Sequence, residues 1–137
     1  MTEVDFYFDI VCPFAYLAST QINSLCAKYN ITPKWKPVLL AGLYQFSKAP
    51  QGKKSATTVM SPAKRLYSSK DALWQRHRCN VEQKYPPGWP TRTLPVQRLL
   101  TAMEDDQDRM ECAEKLYHDL WVKNIDITKG TYLSEIA

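Results

Sequence analysis

The sequence predicts an α/β fold that opens β-α-β and continues as an all-helical stretch. Three observations carry this. Val4–Ile10 (VDFYFDI) is rich in β-branched and aromatic residues; a helical stripe follows it directly; and a second extended segment follows the helix. The remaining residues show helical rather than alternating periodicity.

In the first strand, Val4, Phe6 and Phe8 alternate with Asp5, Tyr7 and Asp9. Val11-Cys12-Pro13 forms a junction, with proline suited to the first helical position because its missing N–H would have no partner there. Pro13 to about Tyr29 carries the stripe Phe14, Leu17, Ala18, Ile22, Leu25 and Cys26, ending at Asn30. Ile31–Leu40 (ITPKWKPVLL) is the second strand, and Pro33 and Pro37 confine it to a sheet edge. A short helix is expected at Ala41–Phe46. Ser47–Ser61 reads as a polar loop, longer than most connections. Ser61-Pro62 is an N-cap and N1 pair opening a basic helix to Arg78, with Leu66, Tyr67, Leu73 and Trp74 as its apolar residues. Tyr85–Thr93 (YPPGWPTRT) is an irregular turn. A helix from Leu94 to about Glu104 places Val96, Leu99, Leu100 and Met103 inward; Asp108 caps the next, to about Lys123, with Met110, Ala113, Leu116, Tyr117, Leu120 and Trp121 apolar; Thr128 caps a last one. The tryptophans Trp35, Trp74, Trp89 and Trp121 are expected in the core or as staples.

A βα unit returning to a second strand implies parallel pairing through a crossover helix. Two strands alone make a marginal sheet. Two regions are expected: 1–47, the βαβ part, and 48–137, the helical part.

Composition excludes several classes. The 137 residues are 45% hydrophobic and 23% charged, as in an ordinary globular domain. The net charge of +4 is dispersed, without the clustered patch of a nucleic-acid binder. No apolar run approaches the roughly 20 residues of a membrane span. The N-terminus, MTEVD, does not read as a signal peptide. The four cysteines, Cys12, Cys26, Cys79 and Cys112, form no CxxC pair and no metal-ligand spacing with His77 or His118, so free thiols in a reducing, intracellular setting and no metal are expected. Neither histidine has a carboxylate at supportive spacing for a general base.

Cys12 is where chemistry is expected. A helix N-terminus presents unpaired N–H groups and partial positive charge, and both favour a thiolate. Local sequence equally allows a small buried residue closing the strand. Ala15 occupies the place of a resolving cysteine, which argues against internal disulfide cycling. Phe14 and Tyr16 flank the thiol, and with Pro13 they are assigned to substrate binding. Asp9, three residues earlier, is read either as orienting local N–H groups or simply as ending the strand.

Phe6–Ala18 (FYFDIVCPFAYLA), Lys36–Leu43 (KPVLLAGL), Pro62–Tyr67 (PAKRLY) and the pattern Leu120, Trp121, Asp126, Ile127, Thr128 occur in the order seen in one family. Together they resemble the kappa-class glutathione transferases and the 2-hydroxychromene-2-carboxylate isomerases, which insert a helical domain into a thioredoxin-like domain. The resemblance spans essentially the whole chain. It implies a thioredoxin-like βαβ start with an all-helical insertion, glutathione as co-substrate, a small electrophilic or aromatic second substrate, and a homodimer in the cytoplasm, mitochondrion or peroxisome. In that family a serine hydroxyl meets the glutathione thiolate; Cys12 stands there, a weaker donor that is able to form a mixed disulfide. Lys64 matches the family lysine that contacts glutathione, against its plain reading as a solvated helix residue. The family asparagine after the second strand has no counterpart at Lys48-Ala49. The family's returning strands, the first preceded by a cis-proline, are absent, so a fragment, or strands supplied by a partner, is expected.

Three functions compete on this basis: a glutathione-dependent transferase or isomerase, a thiol oxidoreductase using Cys12 alone, and a non-catalytic interaction subunit whose open sheet edge pairs with another chain.

Overall fold

The computed structural model describes residues 2–46 and 61–136. Its elements are β1 (Thr2–Phe8), α1 (Pro13–Lys28), β2 (Ile31–Pro37), α2 (Leu40–Phe46), α3 (Pro62–Cys79), α4 (Leu94–Ala102), α5 (Asp106–Trp121) and α6 (Gly130–Ile136). Of the expected loop Ser47–Ser61, residues 47–60, Lys48 and Ala49 among them, lie outside the described residues.

β1 and β2 pair in parallel, Thr2 opposite Ile31 and Phe8 opposite Pro37. This is the predicted crossover unit. Both prolines sit within β2, which is tolerated because β2 pairs on one side only among the described residues. The ladder is extended by Val38 N–H, which donates to Phe8 O at 2.9 Å.

The helices cover only the C-terminal end of β1. Phe8 is buried, whereas Val4 is 39% exposed, so the predicted alternation of inward residues holds at one end of the strand alone. Phe8 and Trp35 meet edge to face at 5.2 Å, and Phe8 lies 6.1 Å from Tyr117 of α5. Around them Ile10, Tyr16, Val96, Leu100, Ala113, Leu116, Leu120, Trp121 and Ile127 form one core.

The buried stripe of α1 differs from the apolar one expected. Tyr16, Leu17, Ser19 and Cys26 are buried, while Phe14 and Leu25 are exposed. Polar side chains take inward positions because they find partners: Ser19 Oγ donates to Tyr16 O at 2.7 Å, and Asn23 Oδ1 accepts from Trp35 Nε1 at 3.3 Å. On α3 the correction is larger. Ala72 is its buried residue, and Leu66, Tyr67, Leu73 and Trp74 face solvent, Trp74 at 72%. Trp74 is therefore not a core residue.

Two caps also differ. Asp105, not Asp108, caps α5: it is extended, and its Oδ1 accepts from Gln107 N and Asp108 N at 2.8 and 2.9 Å. Thr128 donates its hydroxyl to Asp126 at 2.6 Å instead of capping α6. The Ser61 cap is as predicted, its Oγ accepting from Lys64 N at 3.2 Å. No helix among the described residues is long and apolar enough to cross a membrane.

Candidate functional site

From Phe8, the last residue of β1, to Pro13, the first of α1, five backbone carbonyls accept hydrogen bonds from side chains of the helical stretch, and Phe8 O accepts from Val38 N as well. Gln97 Nε2 donates to Phe8 O at 2.9 Å, Tyr117 Oη to Asp9 O at 3.2 Å, Trp121 Nε1 to Ile10 O at 2.8 Å, Trp89 Nε1 to Val11 O at 3.1 Å and Gln83 Nε2 to Pro13 O at 3.2 Å. The carbonyl skipped in this series, Cys12 O, accepts from Tyr16 N and opens the helix.

Asp9 holds the same segment from its other side. Its Oδ1 accepts from Val11 N at 3.1 Å and from Thr93 Oγ1 at 2.7 Å, and its Oδ2 accepts from Leu40 N at 2.8 Å. A single buried carboxylate thus fastens the Cys12 junction to the starts of α2 and α4. This is the orienting role considered for it in the sequence, extended to two distant elements.

Cys12 is the N-cap of α1, extended at φ −84° and ψ 116°, with Pro13 entering the helix and no side-chain capping bond. It is half-buried, with a free thiol. The N–H groups of the first turn are left without a capping side chain, an arrangement that favours an anion beside the thiol. Cys26 and Cys112 are buried, and burial pushes the Cys112 thiol up.

Burial raises Tyr44, Tyr85 and Tyr117, and Cys12 raises each further. Tyr85 is half-exposed and stands edge-on to Trp89 at 5.1 Å and to Trp121 at 5.3 Å. Arg76 pulls Tyr85 the other way, and its Nη1 donates to Gln83 O at 2.9 Å.

The residues singled out in the sequence fall in different places. Pro13 begins α1 and gives its carbonyl to Gln83. Phe14 is exposed beside Cys12. Tyr16 turns into the core, stacked on Trp121 at 6.0 Å, and its hydroxyl donates to Glu82 O at 2.9 Å. Lys64 is exposed in the first turn of α3. Gln83, Tyr85, Gln97 and Tyr117 were missed as site residues, since nothing in their spacing ties them to Cys12. The indole in the proline-rich turn was the one available hint, and Trp89 bonds the residue before the thiol.

Among the described residues no group of three or more His, Cys, Asp or Glu side chains is placed to hold a metal. Two surface depressions, of ≈ 330 Å³ between the end of β2 and α4 and ≈ 550 Å³ between the Pro86–Arg92 turn and the Asn124–Thr128 segment, are not lined by Cys12.

The profile of DSBA-like thioredoxin domains matches residues 3–137. The fold is similar to a solved 2-hydroxychromene-2-carboxylate isomerase, with a TM-score of 0.73, 16% identity, and coverage of 98% of this chain and 66% of that one. An uncharacterised protein of Mycobacterium tuberculosis is 50% identical over 36 residues, 26% of this chain and 16% of that protein. The chain thus spans just under two thirds of the isomerase and a small part of the mycobacterial relative.

Proposed function

The chain belongs to the DSBA-like thioredoxin-domain family, and from that premise we propose that it acts as a glutathione-dependent transferase or isomerase in which Cys12 meets the glutathione thiol. The observation that carries this reading is the placement of Cys12. It is the N-cap of a 16-residue helix, with a backbone held by five side-chain donors and a buried carboxylate. A rigid, positively polarised helix end beside a sulfur is suited to holding a second sulfur as its thiolate. The fold neighbour is by name an isomerase of 2-hydroxychromene-2-carboxylate, and a flat aromatic second substrate fits the exposed rings of Phe14 and Tyr85. In this reading Pro13 and Phe14 border the ligand, Lys64 attracts a carboxylate of the tripeptide, and the protein is a homodimer.

The experiment is glutathione titration by calorimetry, with conjugation and chromene-carboxylate isomerisation assays, on the protein and on Cys12→Ala and Cys12→Ser. Binding lost in the alanine variant and kept in the serine variant supports the reading. No glutathione binding at millimolar concentration overturns it.

A second reading is a thiol oxidoreductase using Cys12 alone. It is favoured by the partial exposure of the Cys12 thiol at the helix end and by Ala15 in place of a resolving cysteine, so that a mixed disulfide at Cys12 would be resolved by an external thiol. Glutathione-disulfide reduction that survives Cys12→Ser would refute it.

A further inference from the structure

The usual amphipathic helix buries its apolar side and wets its polar one; α3 does the reverse. It packs against α1, and its buried or half-buried residues are Ser68, Asp71, Ala72, Gln75, Arg76 and Cys79. Its solvent side carries two apolar rows, Leu66 with Leu73 and Tyr67 with Trp74, each pair one heptad apart, with Lys70 between the rows. Leu66 is 59% exposed, and Tyr67 and Trp74 are each 72% exposed.

The same helix holds the charge of the chain. It has five Lys or Arg and one acid, Asp71, which leaves +4, the net charge of the whole sequence; elsewhere basic and acidic residues balance. Asp71 is half-buried and accepts from Gln75 Nε2 at 3.4 Å, and Arg76 turns inward to Gln83 O. Lys64, Lys70 and Arg78 are exposed, and their side chains make no ion pair among the described residues.

We propose that the outward face of α3 docks on an anionic lipid surface. Its leucines and aromatic rings enter the head-group boundary, and its cations meet the lipid phosphates and carboxylates. Charge excludes nearer occupants: the α3 of a second copy brings the same sign, and the segment 47–60 has Lys48, Lys53 and Lys54 but no acid. A nucleic acid would pair with the cations and stack on the rings, but it leaves Leu66 and Leu73 wet. Lys64 and Arg78 lie about 21 Å apart along the axis. A lipid surface offers an anion wherever a cation falls along that length, whereas an acidic polypeptide has to match each one in place. Tyr and Trp, apolar in body and polar at the tip, suit the head-group level. Such a helix lies in the plane of the membrane and does not cross it.

The test is co-sedimentation of the full chain with vesicles of phosphatidylcholine alone and of phosphatidylcholine with added phosphatidylserine. Binding to the mixed vesicles is expected, weakening as salt is raised. It should be roughly fivefold weaker in Lys70→Gln, the loss of one cation at an anionic surface, and roughly tenfold weaker in Trp74→Ala. Unchanged circular dichroism of both variants separates lost docking from lost folding. Trp74 is its own reporter, because Trp35 and Trp121 are buried and Trp89 is half-buried. Lipids brominated in the acyl chain are expected to quench it, and Trp74→Phe should keep binding and lose the quenching. No binding to the mixed vesicles overturns the proposal, as does binding that neither variant weakens, or adsorption without quenching. A dimer of the lipid-free protein that Trp74→Ala dissociates, read by light scattering, overturns it in favour of a second copy. Binding to polyglutamate and not to vesicles overturns it in favour of an acidic polypeptide.

Discussion

The Trp121 indole N–H donates to Ile10 O at 2.8 Å, across 111 positions of sequence, with both residues fully buried. One bond joins the end of α5 to the backbone two residues before Cys12. It ties the stability of the helical stretch to the geometry of the thiol.

Replacing Trp121 with Phe leaves Ile10 O unpaired in the core and opens a void where the larger ring stood. Loss of the partner costs about 1–3 kcal/mol, and the void adds to it. Urea denaturation is expected to show a lower midpoint, and Cys12 alkylation should change as its backbone loosens. An unaltered midpoint would show that the bond contributes nothing.

Asp9→Asn tests the carboxylate that fastens three elements. Both its oxygens accept, from Val11 N and Thr93 Oγ1 on one side and Leu40 N on the other. An amide offers one oxygen, so one N–H donor is set against another. A loss of roughly 1–3 kcal/mol is expected, with faster amide exchange by NMR at whichever of Leu40 and Val11 faces the new amide nitrogen. Unchanged exchange at both sites would show that the carboxylate does not fasten them.

Asp119 gives a pH signature. Burial would raise it, but hydrogen bonds from Lys115, Tyr132 and Lys123 overcome that and bring it down to about 2. The folded value lies below the unfolded one of about 3.9. This contribution to stability is therefore fully present above about pH 4 and is lost as pH falls towards 2. Asp119→Asn should flatten the acid limb of a stability–pH curve. A variant whose acid limb parallels the wild type would refute this.

Trp74→Ala supplies the contrast with Trp121. At 72% exposure its ring has little burial to lose, so the change should stay within about 0.5 kcal/mol. A loss of several kcal/mol in thermal unfolding would mean that the ring is covered in solution.

The legible parts of this protein were local. The run VDFYFDI, the Cys12-Pro13 junction, the Ser61-Pro62 cap and the apolar positions of α5 each follow from neighbours within a few residues, where backbone sterics and side-chain period act. They determined the βαβ start, its parallel pairing and the position of Cys12 at a helix end. Which residues complete the site was decided by tertiary structure alone. Gln83, Trp89, Gln97, Tyr117 and Trp121 come together on carbonyls of the Phe8–Pro13 segment, of which Ile10 O and Val11 O have no backbone donor among the described residues, and Tyr85 packs edge-on against the two indoles. Buried carbonyls require donors wherever these lie in the chain. The same reason explains Trp74, whose period matches a core helix but whose face meets no partner among the described residues, and Tyr16, which flanks Cys12 in sequence yet points into the core. Sequence spacing fixes which face a side chain occupies; only the packing of the helices against the strand end decides whether that face becomes core, clamp or open surface.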